Sequence, residues 1–171
     1  VRRREADRSA EFPEIEAVEA LTRGQLATLV GVQFERLLEE ASVGGAAIIT
    51  DGRDYSGYAW LVAVVQARVM EGDANYRFEP ERNVTRAEFA DVLMRVYGLG
   101  KASVATDPPS SQVRFSDLAP SHLSFSTASE AVSLGLLFPR ERNTFRPGGQ
   151  VTGVDAIASI ERLRLLLNYE R

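Results

Sequence analysis

The sequence predicts a mainly α-helical protein built from tandem repeats. A Phe-x-Pro sequence that begins at Phe78 recurs at Phe145, and the threonine that follows it, Thr85, recurs as Thr152, both at an offset of 67 residues. Behind each threonine, apolar residues follow the i, i+3, i+4, i+7 spacing of an amphipathic helix. A repeat of this length containing two helical stretches indicates a supersecondary unit that buries its apolar face against its neighbours.

The first repeat is predicted to be truncated. The run Leu21-Thr22-Arg23-Gly24-Gln25 resembles Val84-Thr85-Arg86-Ala87-Glu88 at an offset of 63 residues. No Phe-x-Pro sequence precedes Thr22. We therefore assign residues 1–16 to a charged N-terminal tail and residues 17–41 to the last helix of an incomplete first repeat.

The second and third repeats are predicted over residues 42–98 and 113–171, with a linker over 99–112. The stretch from Gly98 to Gln112, which includes this linker, contains two Gly, two Pro and three Ser, a composition typical of a loop. In each of the two repeats an aspartate, Asp51 or Asp117, precedes the Phe-x-Pro sequence, and an apolar stretch lies between them, Trp60 to Met70 or Ser126 to Leu137. The predicted order within a repeat is helix, Phe-x-Pro loop and capped helix.

Capping boxes predict where the last helix of each repeat begins. Thr85 with Glu88 and Thr22 with Gln25 have the spacing in which the threonine hydroxyl and the third helical side chain exchange hydrogen bonds with the backbone. Thr152 with Asp155 is a weaker form, because aspartate is one methylene shorter than glutamate.

Arg23 and Arg86 are the candidate ligand-binding residues. Each occupies the first position of a predicted helix, where a cation gains nothing from the helix dipole. An arginine beside the unpaired amides of a helix start forms a site for a carboxylate or a phosphate. The alternative is that each arginine pairs with a nearby Asp or Glu. The third repeat has Gly153 at this position, so an arginine site exists at most twice.

Composition excludes several classes of protein. The net charge is −4, which argues against a general nucleic-acid binder. With no cysteine and one histidine the chain lacks the residues for a disulfide framework or a usual zinc site, and it has no nucleotide-binding loop or serine-hydrolase elbow. We therefore predict no catalytic residues, metal or cofactor. No apolar run approaches the roughly 20 residues that span a membrane.

These motifs, in this order, resemble the S-layer homology (SLH) repeat. The similarity is most specific over Phe78 to Ala90 in the second repeat and from Phe115-Ser116-Asp117 through His122 in the third. The resemblance implies a mainly helical, pseudo-threefold bundle whose grooves bind cell-wall polymers. It also implies that Arg86, and with it Arg23, approaches an acidic ligand. The family's His-Trp pair appears here as Tyr55-Ser56 and His122-Leu123, and the repeats are similar to degenerate ones of Gram-negative envelope proteins.

The function expected from this resemblance is a non-catalytic module that anchors its protein in the cell envelope, periplasmic or extracellular, through secondary polysaccharide or peptidoglycan. Membrane attachment would come from a segment outside this chain. Tyr55, Tyr58 and Trp60 are candidates for stacking on sugars, although Trp60 lies in an apolar run that also fits core packing. The alternative function is a scaffold subunit that binds other proteins of an envelope complex, because an incomplete first repeat leaves apolar surface uncovered.

Overall fold

The computed structural model describes residues 14–42, 44–101 and 113–169. Over these residues the chain is mainly helical, as predicted, and its extended pairing is limited to isolated bridges such as Thr22 with Asn83 and Thr85 with Gln150. The α-helices are α1 (Arg23–Gln33), α2 (Glu35–Ala41), α3 (Tyr58–Gln66), α4 (Arg86–Gly100), α5 (Phe125–Ser133) and α6 (Gly153–Leu166). A short 3-10 turn covers Glu141–Asn143.

The three predicted caps set the starts of α1, α4 and α6. Thr22 and Thr85 each accept a hydrogen bond from the amide of the third helical residue, and Gln25 and Glu88 return one to the threonine amide. Thr152 accepts from the amide of Asp155 without a reciprocal bond from the aspartate. The two complete capping boxes and the weaker third cap are therefore confirmed.

The last helix of the first repeat is broken, which differs from the single helix predicted. Phe34 has φ −126° and ψ 30° between α1 and α2. Its ring is fully buried and lies 5.4 Å from the ring of Tyr169. The non-helical backbone at Phe34 separates two helices that share α3 as a neighbour, while α1 also packs against α6 and α2 against α4.

Other predicted boundaries also shift. The apolar helices end at Gln66 and Ser133, earlier than predicted, because the chain turns through Arg68, which has φ 58°, and Gly135, which has φ 71°. Helix α4 continues to Gly100, two residues into the predicted linker. Residues 102–112 of that linker and residues 1–13 of the predicted tail lie outside the described residues.

Packing follows the order of the repeats. Helix α3 packs against α1, and α5 packs against α4, so each apolar helix covers the capped helix of the preceding repeat. Helix α6 packs against both α1 and α4, which brings the three capped helices into one bundle. One continuous core runs through all three repeats and contains the fully buried rings of Phe34, Phe78, Phe89 and Phe145. No helix among the described residues is long and apolar enough to span a membrane.

Candidate binding groove between the repeats

The starts of α1 and α4 each dock on the Phe-x-Pro loop of the next repeat. In the first interface, the amide of Arg23 donates to the carbonyl of Arg82 at 2.9 Å, and that of Gly24 donates to Pro80 at 2.8 Å. These amides have no partner inside their own helix, so the neighbouring repeat satisfies them. The second interface repeats the pattern with Arg86 to Gly149 at 2.8 Å and Ala87 to Pro147 at 3.0 Å.

The side chain of Arg23 crosses the same interface. Its Nε donates to the carbonyl of Phe78 at 2.8 Å, and its Nη2 donates to the carbonyl of Glu71 at 2.6 Å. The guanidinium carbon lies 4.7 Å from the centre of the Phe78 ring, within the range of a cation–π interaction. Arg23 therefore links the first repeat to both ends of the second repeat's loop.

Arg86 makes the equivalent contacts one repeat later. Its Nε donates to the carbonyl of Phe145 at 2.7 Å and its Nη2 to that of Phe138 at 3.1 Å, and its guanidinium lies 5.0 Å from the Phe145 ring. Arg86 is only 4% exposed, whereas Arg23 is half-buried. Within the described part of the chain, the hydrogen-bond partners of both arginines are backbone carbonyls rather than the carboxylates considered as the alternative.

An aspartate upstream of each Phe-x-Pro turn, in the second and third repeats, accepts hydrogen bonds from two amides of that turn. Asp51 accepts from the amides of Phe78 at 2.6 Å and Glu79 at 2.8 Å. Asp117 accepts from the amides of Phe145 and Arg146, both at 2.7 Å. The spacing of these aspartates was visible in the sequence, but their role required the structure, because the paired amides lie 27 to 29 residues away along the chain.

The middle residue of each Phe-x-Pro turn has a left-handed backbone. Glu79 and Arg146 both have φ 56°, a conformation that L-residues other than glycine adopt at a cost. The two-amide contact to the aspartate stabilises this turn. Phe78 and Phe145 are both fully buried beneath it, which confirms that they occupy equivalent anchoring positions.

Gly153 is explained by the third interface. The amide of Gly153 donates to the carbonyl of Val18 at 2.9 Å, so α6 docks on the segment that precedes α1 rather than on a Phe-x-Pro loop. A Cβ at Gly153 would overlap the carbonyl oxygen of Ile15. The position that holds arginine in the other repeats therefore has no room for a side chain here.

The predicted stacking residues pack between repeats. The ring of Trp60 lies directly on Gly31 of α1, where a Cβ would overlap it, and the ring of Tyr55 lies on Gly24 in the same way. Tyr58 is partly buried against the core. These contacts agree with the packing role considered for Trp60, and sugar stacking by Tyr55 and Tyr58 stays a prediction.

A groove of about 150 Å³ opens beside Arg23, between the first and second repeats. Its wall is apolar at Leu26 and Val92, and beside Arg23 its charged residues are Glu71, Glu88, Asp91 and Arg95. Arg95 pairs with Glu71 at 2.8 Å, and Glu88 is engaged by the Thr85 amide and by Arg82. Arg23 is thus the groove cation whose hydrogen bonds, among the described residues, all go to neutral acceptors.

The electrostatic environment of this groove is asymmetric. Burial lowers the pKa of Arg23, and the nearby charge of Arg82 lowers it further. Burial opposes ionisation of Glu88, but the hydrogen bond from Arg82 and the Thr85 amide outweigh it and lower the pKa of that carboxyl. Glu88, Glu79 and Asp51 act in the opposite direction and compensate the Arg23 charge in part; an added anion would stabilise it further. The described residues contain no cluster of acidic and histidine side chains suited to a metal ion.

Comparison with protein families agrees with the repeat geometry. Residues 63–90 and 114–157 match the S-layer homology domain family. The first matched segment covers the end of α3, the Phe-x-Pro loop and the start of α4, and the second runs from Arg114 into the first turn of α6. The family consists of non-catalytic domains that associate with the cell surface. No curated protein matches the chain with significant similarity.

Proposed function

We propose that this chain, which carries S-layer homology repeats, anchors its protein in the cell envelope by binding an acidic wall polymer, secondary polysaccharide or peptidoglycan, in the groove beside Arg23. A surface-anchoring role in general follows from the family match. The choice of polymer and groove is our inference from the geometry.

The environment of the Arg23 guanidinium carries the proposal. Nε and Nη2 are held by two carbonyls, and Nη1 has no hydrogen-bond partner among the described residues. A guanidinium fixed in this way presents donors in a set orientation, so little side-chain entropy is lost when a carboxylate or phosphate binds. Two capping boxes support the site because they fix the starts of α1 and α4: Thr22 with Gln25, and Thr85 with Glu88.

Arg86 has a different place in this proposal. The 4% exposure of its side chain favours a role in holding the second and third repeats together. The prediction that Arg86 contacts polymer therefore carries less weight than the one for Arg23, whose groove is open.

Sedimentation with purified cell-wall sacculi tests the anchor function. We expect Arg23→Ala to weaken binding about tenfold, which corresponds to about 1.4 kcal/mol, and added salt to weaken the wild type further. Arg53→Ala is the matched control, because Arg53 is an exposed loop arginine outside the lining of the groove. Both variants change the net charge equally.

Because Arg23 also holds two carbonyls, each variant is first checked for folding by circular dichroism. Arg95→Ala is a second test of sacculus binding, because Arg95 lines the groove but makes no hydrogen bond to the Phe-x-Pro loop. Unchanged sacculus binding by folded Arg23→Ala and Arg95→Ala proteins would overturn the proposal, as would wild-type binding that is absent at low salt.

One observation favours the scaffold function as a second candidate. Helix α3 covers α1, and helix α5 covers α4. Among the described residues, no corresponding apolar helix covers α6. On α6, Val154 is 56% exposed and Leu165 is 62% exposed, whereas the residue equivalent to Val154 on α1, Gly24, is buried. Val154 and Leu165 are about three helical turns apart on one side of α6, where a protein partner would cover both.

Charged substitutions at Val154 and Leu165 distinguish the anchor function from the scaffold function. If the chain is a scaffold, Val154→Glu with Leu165→Glu should abolish co-purification of envelope proteins cross-linked to the wild type, and sacculus binding should be absent throughout. If the chain is an anchor, the double variant should bind sacculi as the wild type does.

A further inference from the structure

A second, larger groove lies on the outer side of the second repeat. It has a volume of about 520 Å³ and runs between the segment 44–48 and the end of α3. Ile48, Val65 and Tyr76 form its apolar lining, and Gln66 and Asp73 are among its polar residues. Ile48 is 59% exposed and Tyr76 is 56% exposed.

The backbone of Tyr76 is unusual for an aromatic residue. Its φ is 59°, in the left-handed region. Asn143 stands at the equivalent position of the third repeat and has φ 58°. Asparagine tolerates this conformation, whereas a bulky residue adopts it at a cost of roughly 1–2 kcal/mol. Because the Tyr76 ring is largely exposed, its burial offsets little of this conformational cost. The ring therefore contributes little to the stability of the fold.

The turn that carries Tyr76 is nevertheless rigidly held. Asp73 accepts from the amides of Asn75 at 2.8 Å and Arg77 at 2.9 Å. The carbonyl of Tyr76 accepts from the amide of Thr50 at 2.9 Å. The hydrogen bond from the Arg77 amide, with that from Asn75, lowers the pKa of Asp73, which keeps its carboxylate ionised. A strained, exposed ring on a fixed turn is typical of a residue retained for binding.

We propose that the Tyr76 groove binds a pyranose ring, with the tyrosine face stacked on the sugar's C–H groups. The groove combines an exposed aromatic face, aliphatic neighbours and a few polar groups, which is the composition of a sugar subsite. The opposite wall is held in place because Gln66 Nε2 donates to the carbonyl of Gly45 at 3.1 Å.

This subsite extends the Arg23 groove, and in that respect it rests on the proposed function. Glu71 lines both grooves. Arg95 fixes the boundary by donating from Nη1 to the Glu71 carboxylate at 2.8 Å and to the carbonyl of Arg68 at 3.1 Å. The two grooves therefore adjoin at Glu71, so one polymer would place its acidic group at Arg23 and a neighbouring sugar at Tyr76.

Saturation-transfer NMR with the neutral oligosaccharide tetra-N-acetylglucosamine tests the subsite separately from the anionic one. We expect transfer to the sugar C–H protons in the wild type and its loss in Tyr76→Asn. This variant introduces the residue of the third repeat, so the turn stays intact and thermal stability should be equal or higher. Tyr76→Trp retains a ring and should retain the transfer.

A loop arginine outside both grooves provides the internal control. Arg53→Ala, at an exposed residue that lines neither groove, should leave transfer to the neutral oligosaccharide unchanged. Absence of transfer in the wild type, or undiminished transfer in Tyr76→Asn, would overturn the subsite. Failure of the acidic-polymer proposal appears instead in the sacculus assay, where binding is salt-independent or absent, so the two failures are distinguishable.

Discussion

Arg86 and Phe145 are joined by two contacts across the boundary between the second and third repeats. The arginine Nε donates to the Phe145 carbonyl at 2.7 Å, and the guanidinium lies 5.0 Å from the centre of the Phe145 ring. Arg23 and Phe78 have the same relationship one repeat earlier. The arginine at the start of one capped helix therefore fixes the Phe-x-Pro loop of the next repeat.

Removal of this arginine should destabilise the fold. We expect Arg86→Ala to lower the free energy of unfolding by about 3 kcal/mol. The substitution deletes two charge-assisted hydrogen bonds and leaves the carbonyls of Phe145 and Phe138 without these donors. Urea denaturation measures the change. Arg36→Ala, at a side chain that is 75% exposed, should change stability by less than about 0.5 kcal/mol. A similar small effect of Arg86→Ala would contradict the structural role.

The buried aromatic anchor should be more costly to remove than an exposed one. Phe145 is fully buried, and its truncation in Phe145→Ala should cost roughly 3–5 kcal/mol. Phe138→Ala is the matched comparison, since that ring is 57% exposed and its carbonyl stays in place. Chemical denaturation of both variants checks the difference, and equal losses would show that the Phe-x-Pro position is not an anchor.

Acid should weaken the turn held by Asp117. Burial opposes ionisation of this carboxyl, but the amides of Phe145 and Arg146 outweigh it and lower its pKa below the ordinary 3.8. A carboxyl with a lowered folded pKa contributes stability above its unfolded pKa and loses it as pH falls through the folded value. Stability should therefore decline below about pH 4, and Glu88, whose pKa is also lowered, should add to the decline.

Asp117→Asn isolates that contribution. The neutral amide supplies one acceptor oxygen in place of two, so we expect a loss of about 1 kcal/mol near pH 7 and a shallower dependence on pH between about 4 and 2. Thermal melts of both proteins over this range make the comparison. An unaltered pH dependence would exclude Asp117 as a source.

A methyl group at Gly153 should disrupt the third interface. Gly153→Ala places a Cβ onto the carbonyl oxygen of Ile15, and we expect a loss of about 1–3 kcal/mol. Gly98→Ala is the matched control within α4, because nothing lies within 4 Å of its Cβ, and it should gain about 0.5–1 kcal/mol. Melting temperatures that move in the same direction for both variants would contradict this account.

The left-handed residue of the third-repeat turn offers a stabilising change. Arg146 is exposed and has φ 56°. Arg146→Gly should raise the free energy of unfolding by about 1 kcal/mol, because glycine adopts this conformation without steric cost. Arg146→Val should lower it, since a β-branched side chain is the least tolerant of positive φ. Equilibrium unfolding of the pair provides the test, and the opposite order would be inconsistent with the turn geometry.

Much of this architecture is predictable from local sequence. The caps at Thr22, Thr85 and Thr152 and the repeated Phe-x-Pro turns follow from spacing over a few residues, because capping and turn formation are local interactions. Arg23 and Arg86 were also identifiable as unusual cations at helix starts. The left-handed backbone of Tyr76 required the structure, because an aromatic residue carries no sequence marker for that conformation.

The sequence by itself determined the repeat period, the helix starts, the buried phenylalanines and the resemblance to the S-layer homology family. Only the tertiary structure decided which groups meet across the repeats. The carbonyls of Phe78 and Phe145 accept from the arginines, and Asp117 accepts from the amides of Phe145 and Arg146. The backbone at Ile15 lies against Gly153. The physical reason is that these contacts join residues 27 or more positions apart. Their geometry depends on how whole helices pack, which local spacing does not encode.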